Sequence, residues 1–169
     1  MADGVTRLLP YSSFTVLLNK SYPRSTGRVR LASAHPGDAP LIECRLLEER
    51  ADVDTLIRGI EVVRKIMATD PIAGLIEQEV EPGPGVRSVT ALEAHVRRRT
   101  GIAFHPAGTC RMGSDRDAVV GPDLRVHGTE NLWIADASIM PDLISGNTNA
   151  VCVMIGAKLG KQLMAARQS

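Results

Sequence analysis

Residues 104–113 read Phe104-His105-Pro106-Ala107-Gly108-Thr109-Cys110-Arg111-Met112-Gly113, and further on the chain runs Leu132-Trp133-Ile134-Ala135-Asp136-Ala137-Ser138 and then Ser145-Gly146-Asn147-Thr148-Asn149. The unbroken apolar run 132–135 predicts a strand of the kind buried on both faces in a parallel sheet. It ends at Asp136-Ala137-Ser138, at the carboxyl end of a strand, where open α/β sheets bind ligands. The segment 145–149 leads straight into an apolar run, so it reads as a helix N-terminus carrying two side-chain amides. Such an end offers unpaired N–H groups and a positive dipole to a negative ligand. His105 stands beside a proline and ahead of a small-residue turn, a setting that can fix an imidazole at the mouth of a pocket. An imidazole titrates near neutral pH and can take a proton from a substrate hydroxyl. A base in one segment and an electropositive helix end in another suit proton abstraction from an alcohol beside an anionic cofactor. Taken singly, a loop histidine is an ordinary surface or structural residue, and Ser-Gly-Asn-Thr-Asn is an ordinary turn and cap.

Working outward, the 169 residues are 44% hydrophobic, enough for one ordinary domain with a real core, which excludes disordered and collagen-like classes. A net charge of +1 with interspersed signs gives no electrostatic footprint for nucleic acid or an anionic membrane. The run Arg97-Arg98-Arg99 reads as the solvated end of a helix. Three cysteines, an odd number without Cys-x-x-Cys spacing, suit a reduced compartment and argue against a zinc site. The start Met-Ala-Asp-Gly-Val-Thr-Arg has an acid where a signal peptide wants bases, so the expected location is cytoplasmic. The longest apolar run, near 150–155, is too short to span a bilayer.

Upstream, residues 13–19 are rich in β-formers and predict a strand. Residues 28–32 alternate polar and apolar and predict a second, half-buried one; 41–47 predict a third. Short turns between them imply an antiparallel arrangement, since parallel neighbours need long crossovers. Residues 52–67 give the clearest helix: Val53, Leu56, Ile57, Ile60, Val63 and Met67 form one buried stripe, with Arg58, Glu61 and Arg64 on the other side and Asp52 or Asp54 as cap. After a stiff turn-rich linker at 79–85, a second helix starts at Ser88 or Thr90, where Thr90 and Glu93 fit a capping box. His95 lies inside that helix and reads as a packing or surface residue. Residues 119–127 read as a short irregular β segment, and helical propensity returns from 149 to about 164.

The three motifs, in their order and spacing, together with Pro23-Arg24-Ser25-Thr26-Gly27-Arg28-Val29, resemble the C-terminal region of the glucose-methanol-choline (GMC) oxidoreductases, choline and alcohol dehydrogenase-like flavoproteins. The resemblance runs from about Phe14 to about Leu163. It implies FAD-dependent oxidation of a small-molecule alcohol, with hydride passing to the flavin N5. His105 matches the family's catalytic histidine, the expected general base. Asn147 matches the second active-site position, where an amide can donate to the developing alkoxide without exchanging protons. Asp136 and Ala137 match the strand-end pair whose main chain approaches the pyrophosphate and ribityl region. Thr148 and Asn149 match the helix start against the pyrimidine side of the ring. No metal is suggested, because His105 and Cys110 sit close in one turn without further ligands nearby. A hydrolase built on that pair is a weak reading, and Cys110 reads as a small packing residue.

The sequence departs from the family in one large respect. Its nearest glycine cluster, Pro82-Gly83-Pro84-Gly85, is not the Gly-x-Gly-x-x-Gly turn that holds the ADP part of FAD. The expected architecture is therefore α+β. An antiparallel-sheet, substrate-side region with helices and the histidine loop spans 1–118, and a C-terminal strand and helix of an incomplete FAD-binding α/β domain span 119–169. The expected function is that of the C-terminal portion of an FAD-dependent alcohol dehydrogenase or oxidase. The alternative is an inactive fragment or split-enzyme subunit that needs a separate FAD-binding N-terminal half.

Overall fold

The computed structural model describes residues 10–167. The acidic amino terminus weighed above against a signal peptide lies outside the described residues. In chain order the elements are β1 (Arg28–Arg30), β2 (Leu41–Glu43), α1 (Arg50–Met67), a 3-10 turn (Ile72–Leu75), α2 (Val89–Arg99), a second 3-10 turn (Ala137–Ile139) and α3 (Asn149–Ala166). The composition is α+β, with three helices and one small antiparallel sheet among the described residues.

β1 and β2 pair antiparallel with Arg28 opposite Glu43, Val29 opposite Ile42 and Arg30 opposite Leu41. Glu43 accepts from Arg28 Nε and Arg30 Nη2, each at 2.8 Å. Those two guanidinium hydrogen bonds hold its carboxyl down at about 2. A Cβ at Gly27 would lie 2.2 Å from the Glu43 carbonyl oxygen, so the approach to this hairpin requires glycine.

The expected first strand at 13–19 is corrected: this segment has no ladder partner among the described residues and is largely exposed. β propensity is not pairing; a strand exists only where a neighbour takes its N–H and C=O groups. The segment instead lies over α1, where a Cβ at Gly59 would meet Leu18 Cδ1 at 3.1 Å.

α1 buries Val53, Leu56, Ile57 and Ile60 as its periodicity requires. They meet Leu92 and Val96 of α2, Leu47 of the preceding turn and half-buried Val86 in a first core. Two cap expectations are corrected. The residue preceding α1 is Glu49, which makes no side-chain cap, and Asp52 is 2% exposed with its carboxylate turned to the 24–25 turn. There it accepts from Arg24 N–H at 2.9 Å, Ser25 N–H at 2.7 Å and the Ser25 hydroxyl at 2.6 Å. Burial alone would raise the Asp52 carboxyl, but these donors outweigh it and the net shift is downward. Asp54 pairs with Arg50 on the surface.

α2 begins after Ser88, whose hydroxyl accepts from Ala91 N–H at 3.2 Å. Thr90 is not the cap, because Glu93 is engaged by Arg50 and Arg97 rather than reaching back along its own helix. Arg64, expected on the solvent side, is half-buried and clamps the linker: it donates to Glu79 at 2.8 Å, the Val86 carbonyl at 2.9 Å and the Gly83 carbonyl at 3.0 Å. His95 packs against the same linker, 3.8 Å from Glu81, and burial pushes its imidazole down.

A second core gathers Val120, Leu124, Ile139, Met140, Ile155 and Leu159, with Ala107 and Met112 packed against it. Here the strand expected at 132–135 is also corrected. Only Trp133 joins a bridge, antiparallel to Arg125, and no parallel neighbour exists among the described residues. Local bonds use its backbone: Ile134 N–H donates to the Leu124 carbonyl at 3.1 Å and the Leu132 carbonyl accepts from Val126 at 2.9 Å. The irregular β segment at 119–127 is present as isolated bridges, Met112 with Val120 and Val120 with Val126.

Candidate functional site

The histidine loop is laced to the turn that follows residues 132–135. Gly108 N–H donates to the Ala137 carbonyl at 3.3 Å, Cys110 N–H to Ser138 at 2.9 Å and Met112 N–H to Ile139 at 2.8 Å. Gly108 is required at this seam. Its φ is +85°, and a Cβ there would press to 3.2 Å from the Met140 carbonyl oxygen. The turn has its own brace, since the Asp136 carboxylate accepts from Ser138 N–H at 2.8 Å. The carbonyls of this turn are engaged as well, that of Asp136 by Ile139 N–H at 3.3 Å and that of Ala137 by Gly108 and Met140. Further along the loop, Arg111 and Asp115 form a two-bonded pair, and Asp115 is held far below the usual carboxylate range by that guanidinium.

His105 follows Phe104, a bulky residue in the left-handed region at φ +58°. That conformation costs roughly 1–2 kcal/mol. The bend brings the half-buried imidazole to the start of α3, where Nδ1 lies 3.1 Å from the Thr148 hydroxyl oxygen. Thr148 is 7% exposed and precedes the helix without making a side-chain cap. The Thr148 carbonyl accepts from Cys152 N–H at 2.9 Å, so N–H groups earlier in the turn have no intrahelical acceptor. No acidic residue sits in the first turn to offset the positive end of the dipole.

Of the six predicted site residues, the structure brings His105 directly to Thr148, and it ties the histidine loop to Ala137 and, through the braced turn, to Asp136. Asn147 and Asn149 flank Thr148 in sequence and are exposed. The meeting of the Thr148 hydroxyl with the His105 ring is a contact the sequence did not signal. Two shallow depressions, of about 300 and about 340 Å³, lie around His127 and take in none of the six.

The arrangement fits part of a flavin. Uncompensated N–H donors, flanking exposed amides and an imidazole sit together at one helix start, a donor set suited to an anionic ring edge. No helix among the described residues is long and apolar enough to cross a membrane.

The chain is similar to known proteins of one family. The sequence profile of the GMC oxidoreductases matches residues 23–156. Alcohol dehydrogenase (acceptor) from Pseudomonas putida is 43% identical over 142 residues, covering 84% of this chain and 26% of that protein. Human mitochondrial choline dehydrogenase is 40% identical over 136 residues, covering 79% of this chain and 23% of that protein. Among solved structures, pyridoxine 4-oxidase from Mesorbium loti superposes with a TM-score of 0.78 at 36% identity over 84% of this chain and 28% of the other. A fungal aryl-alcohol oxidase superposes with a TM-score of 0.80 at 32% identity over 88% of this chain and 25% of the other. The chain thus spans about a quarter of the length of these relatives.

Proposed function

The chain belongs to the GMC oxidoreductase family, its described part corresponding to the family's C-terminal region, and from this we propose that it forms the C-terminal portion of an FAD-dependent alcohol dehydrogenase or oxidase. The observation that carries the reading is the meeting of His105 with the start of α3, which puts a proton acceptor beside an electropositive helix end. FAD, when bound, supplies the acceptor for the hydride of the alcohol carbon. His105 takes the hydroxyl proton, as a positioned general base. The Asn147 amide donates to the oxygen as negative charge develops there, which suits an exposed amide one residue before a buried threonine. Asp136 and Ala137 offer main-chain groups to the pyrophosphate and ribityl side, and the main chain of Thr148 and Asn149 faces the pyrimidine side. The dipole of α3 then favours negative charge on that edge.

The division we assign is a substrate-side region at 1–118, including the histidine loop, and the C-terminal part of the FAD-binding domain at 119–169. The substrate is a small alcohol, in keeping with the names of the Pseudomonas and human relatives. Three cysteines that are free among the described residues suit a reduced compartment such as the cytoplasm.

Activity requires a flavin-binding part that this sequence does not supply, whether in the same polypeptide or another. Contacts of an ADP-binding glycine turn are charge-assisted, each worth roughly 1.5–3 kcal/mol, so their lack weakens FAD binding by several orders of magnitude. The test is a titration of the 169-residue chain with FAD by flavin fluorescence, repeated with a separately produced amino-terminal part of the Pseudomonas relative. We expect no binding at micromolar FAD by the chain alone, then flavin absorbance and alcohol-dependent dye reduction in the mixture. Micromolar binding by the lone chain refutes the need for a second part. A reassembled, FAD-loaded protein inert to a panel of small alcohols refutes the reaction.

A further inference from the structure

We propose that Thr148 is a positioning residue for this reaction: its hydroxyl oxygen accepts the Nδ1–H of His105 and so leaves the lone pair of the ring on Nε2. The inference rests on the reading of His105 as base and goes beyond it by fixing which nitrogen does the work. A neutral imidazole carries one hydrogen, and the bond made by one ring nitrogen decides whether the other is a donor or an acceptor. Among the described residues, the one side-chain partner at Nδ1 is the Thr148 oxygen, at 3.1 Å.

Two features of Thr148 point the same way. A threonine preceding a helix ordinarily turns its hydroxyl to an N–H of the first turn, and the loss of such a cap costs about 1 kcal/mol. Thr148 makes no capping bond, its backbone lies in the helical region at φ −77° and ψ −15°, and its hydroxyl meets the ring instead. It is also 7% exposed and β-branched, so the hydroxyl is held rather than free to swing. An oxygen that accepts from Nδ1–H suits both states of the base. When the proton leaves the substrate oxygen, the O–H bonding electrons stay on that oxygen and a new N–H bond forms at Nε2. The imidazolium then carries hydrogen on both nitrogens, and the Nδ1–H bond to Thr148 persists unchanged. A hydroxyl that instead donated to Nδ1 would place hydrogen on Nε2 and leave no lone pair for the proton.

The test reads the tautomer directly. In the full chain with 15N-labelled histidine, long-range proton–nitrogen spectra are recorded at a pH where the rings are neutral, with His105→Ala identifying the His105 signals among the four histidines. We expect hydrogen on Nδ1 and a bare Nε2, Thr148→Ser to keep that pattern, and Thr148→Val to shift His105 towards the Nε2–H form. Hydrogen mainly on Nε2 in the unaltered chain overturns the proposal without any variant having to fold. In a flavin-loaded assembly Thr148→Val should lower kcat by about ten- to a hundredfold with KM little changed, as loss of an orienting partner does, and Thr148→Ser should restore most of it. If the tautomer is as expected but His105→Ala keeps normal turnover, the base assignment falls and the positioning role with it. If His105→Ala is inactive while Nε2 carries the hydrogen, the base stands and the Thr148 assignment alone is wrong.

Discussion

Replacing Asp52 tests how the first core is joined to the segment that leads into the hairpin. Its carboxylate is 2% exposed and takes the N–H groups of Arg24 and Ser25 and the hydroxyl of Ser25. Ser25 in turn accepts from Glu49 N–H at 3.0 Å, so one side chain closes the turn at 24–25 and the entry to α1 together. Hydrogen bonds to a charged acceptor contribute roughly 1.5–3 kcal/mol each, and water reaching the surface side of the turn replaces part of the three lost. Asp52→Ala should therefore destabilise the fold by about 3 kcal/mol, and Asp52→Asn, which turns an amide donor towards N–H groups, by about 2 kcal/mol. The assay is urea unfolding followed by circular dichroism across pH. Because the folded-state pKa of Asp52 is depressed, its contribution is fully present above the unfolded value near 4 and is lost as pH falls through the folded one. The gap between the unaltered chain and Asp52→Asn should stay constant from neutral pH down to about 5 and shrink below about 4. A loss under about 1 kcal/mol for Asp52→Ala, or a gap that does not shrink in acid, would show that water satisfies this turn as well as the carboxylate does.

Three further outcomes follow from the same geometry. In a flavin-loaded assembly His105→Ala should lower alcohol turnover by roughly two to four orders of magnitude with flavin content unchanged, and near-normal turnover would remove it as base. Asn147→Ala should slow turnover while Asn147→His retains part of it, since an imidazole can donate from the same place; equal losses in steady-state rates would assign Asn147 to the helix start, worth about 1 kcal/mol of stability. Leu92, 1% exposed between α1 and α2, should cost about 2–5 kcal/mol as Leu92→Ala in denaturant unfolding, and a loss below that range would mean the two helices repack without it.

What was legible in the sequence is what depends on periodicity or on local turn chemistry. The stripe on α1, the turn-rich linker and the start of α3 follow from spacing that one residue's neighbours in sequence decide, and of the strands expected at 28–32 and 41–47 only 28–30 and 41–43 pair, with β1 exposed rather than half-buried. The two strands that fail, 13–19 and 132–135, have the right composition but depend on partners that composition does not supply. Ser88 caps α2, one of the two starts expected, but the acid caps fail for a related reason. Asp52 and Glu93 are both acids at helix starts, yet distant donors, Ser25 for one and Arg50 for the other, claim them. In the site, the motif order brought His105 and the start of α3 into one reading. The Thr148 hydroxyl was out of reach because its direction depends on the backbone at 148 and on the three bonds that lace residues 108–112 to the turn at 137–139.

The two cores differ in how completely they are built, and the difference falls on the site. The first is closed by α1 against α2, with the linker clamped across it by Arg64. The second leans on α3, a helix apolar on most of its faces that buries only Ile155 and Leu159, while Val153, Met154 and Met164 are 65%, 53% and 66% exposed. A helix apolar all round belongs in an interior. Leu132, just before the site turn, is also half exposed. The residues proposed to meet the flavin, 136–137 and 147–149, sit at the ends of these two under-covered segments. On the proposed function, one flavin-binding part covers both the apolar side of α3 and the helix start that carries Thr148, so cofactor capture and completion of the second core become a single step. Burial of those side chains contributes about 25 cal/mol for each Å² removed from water. That gain is the driving force the proposed association would draw on, with the donors at the helix start adding orientation.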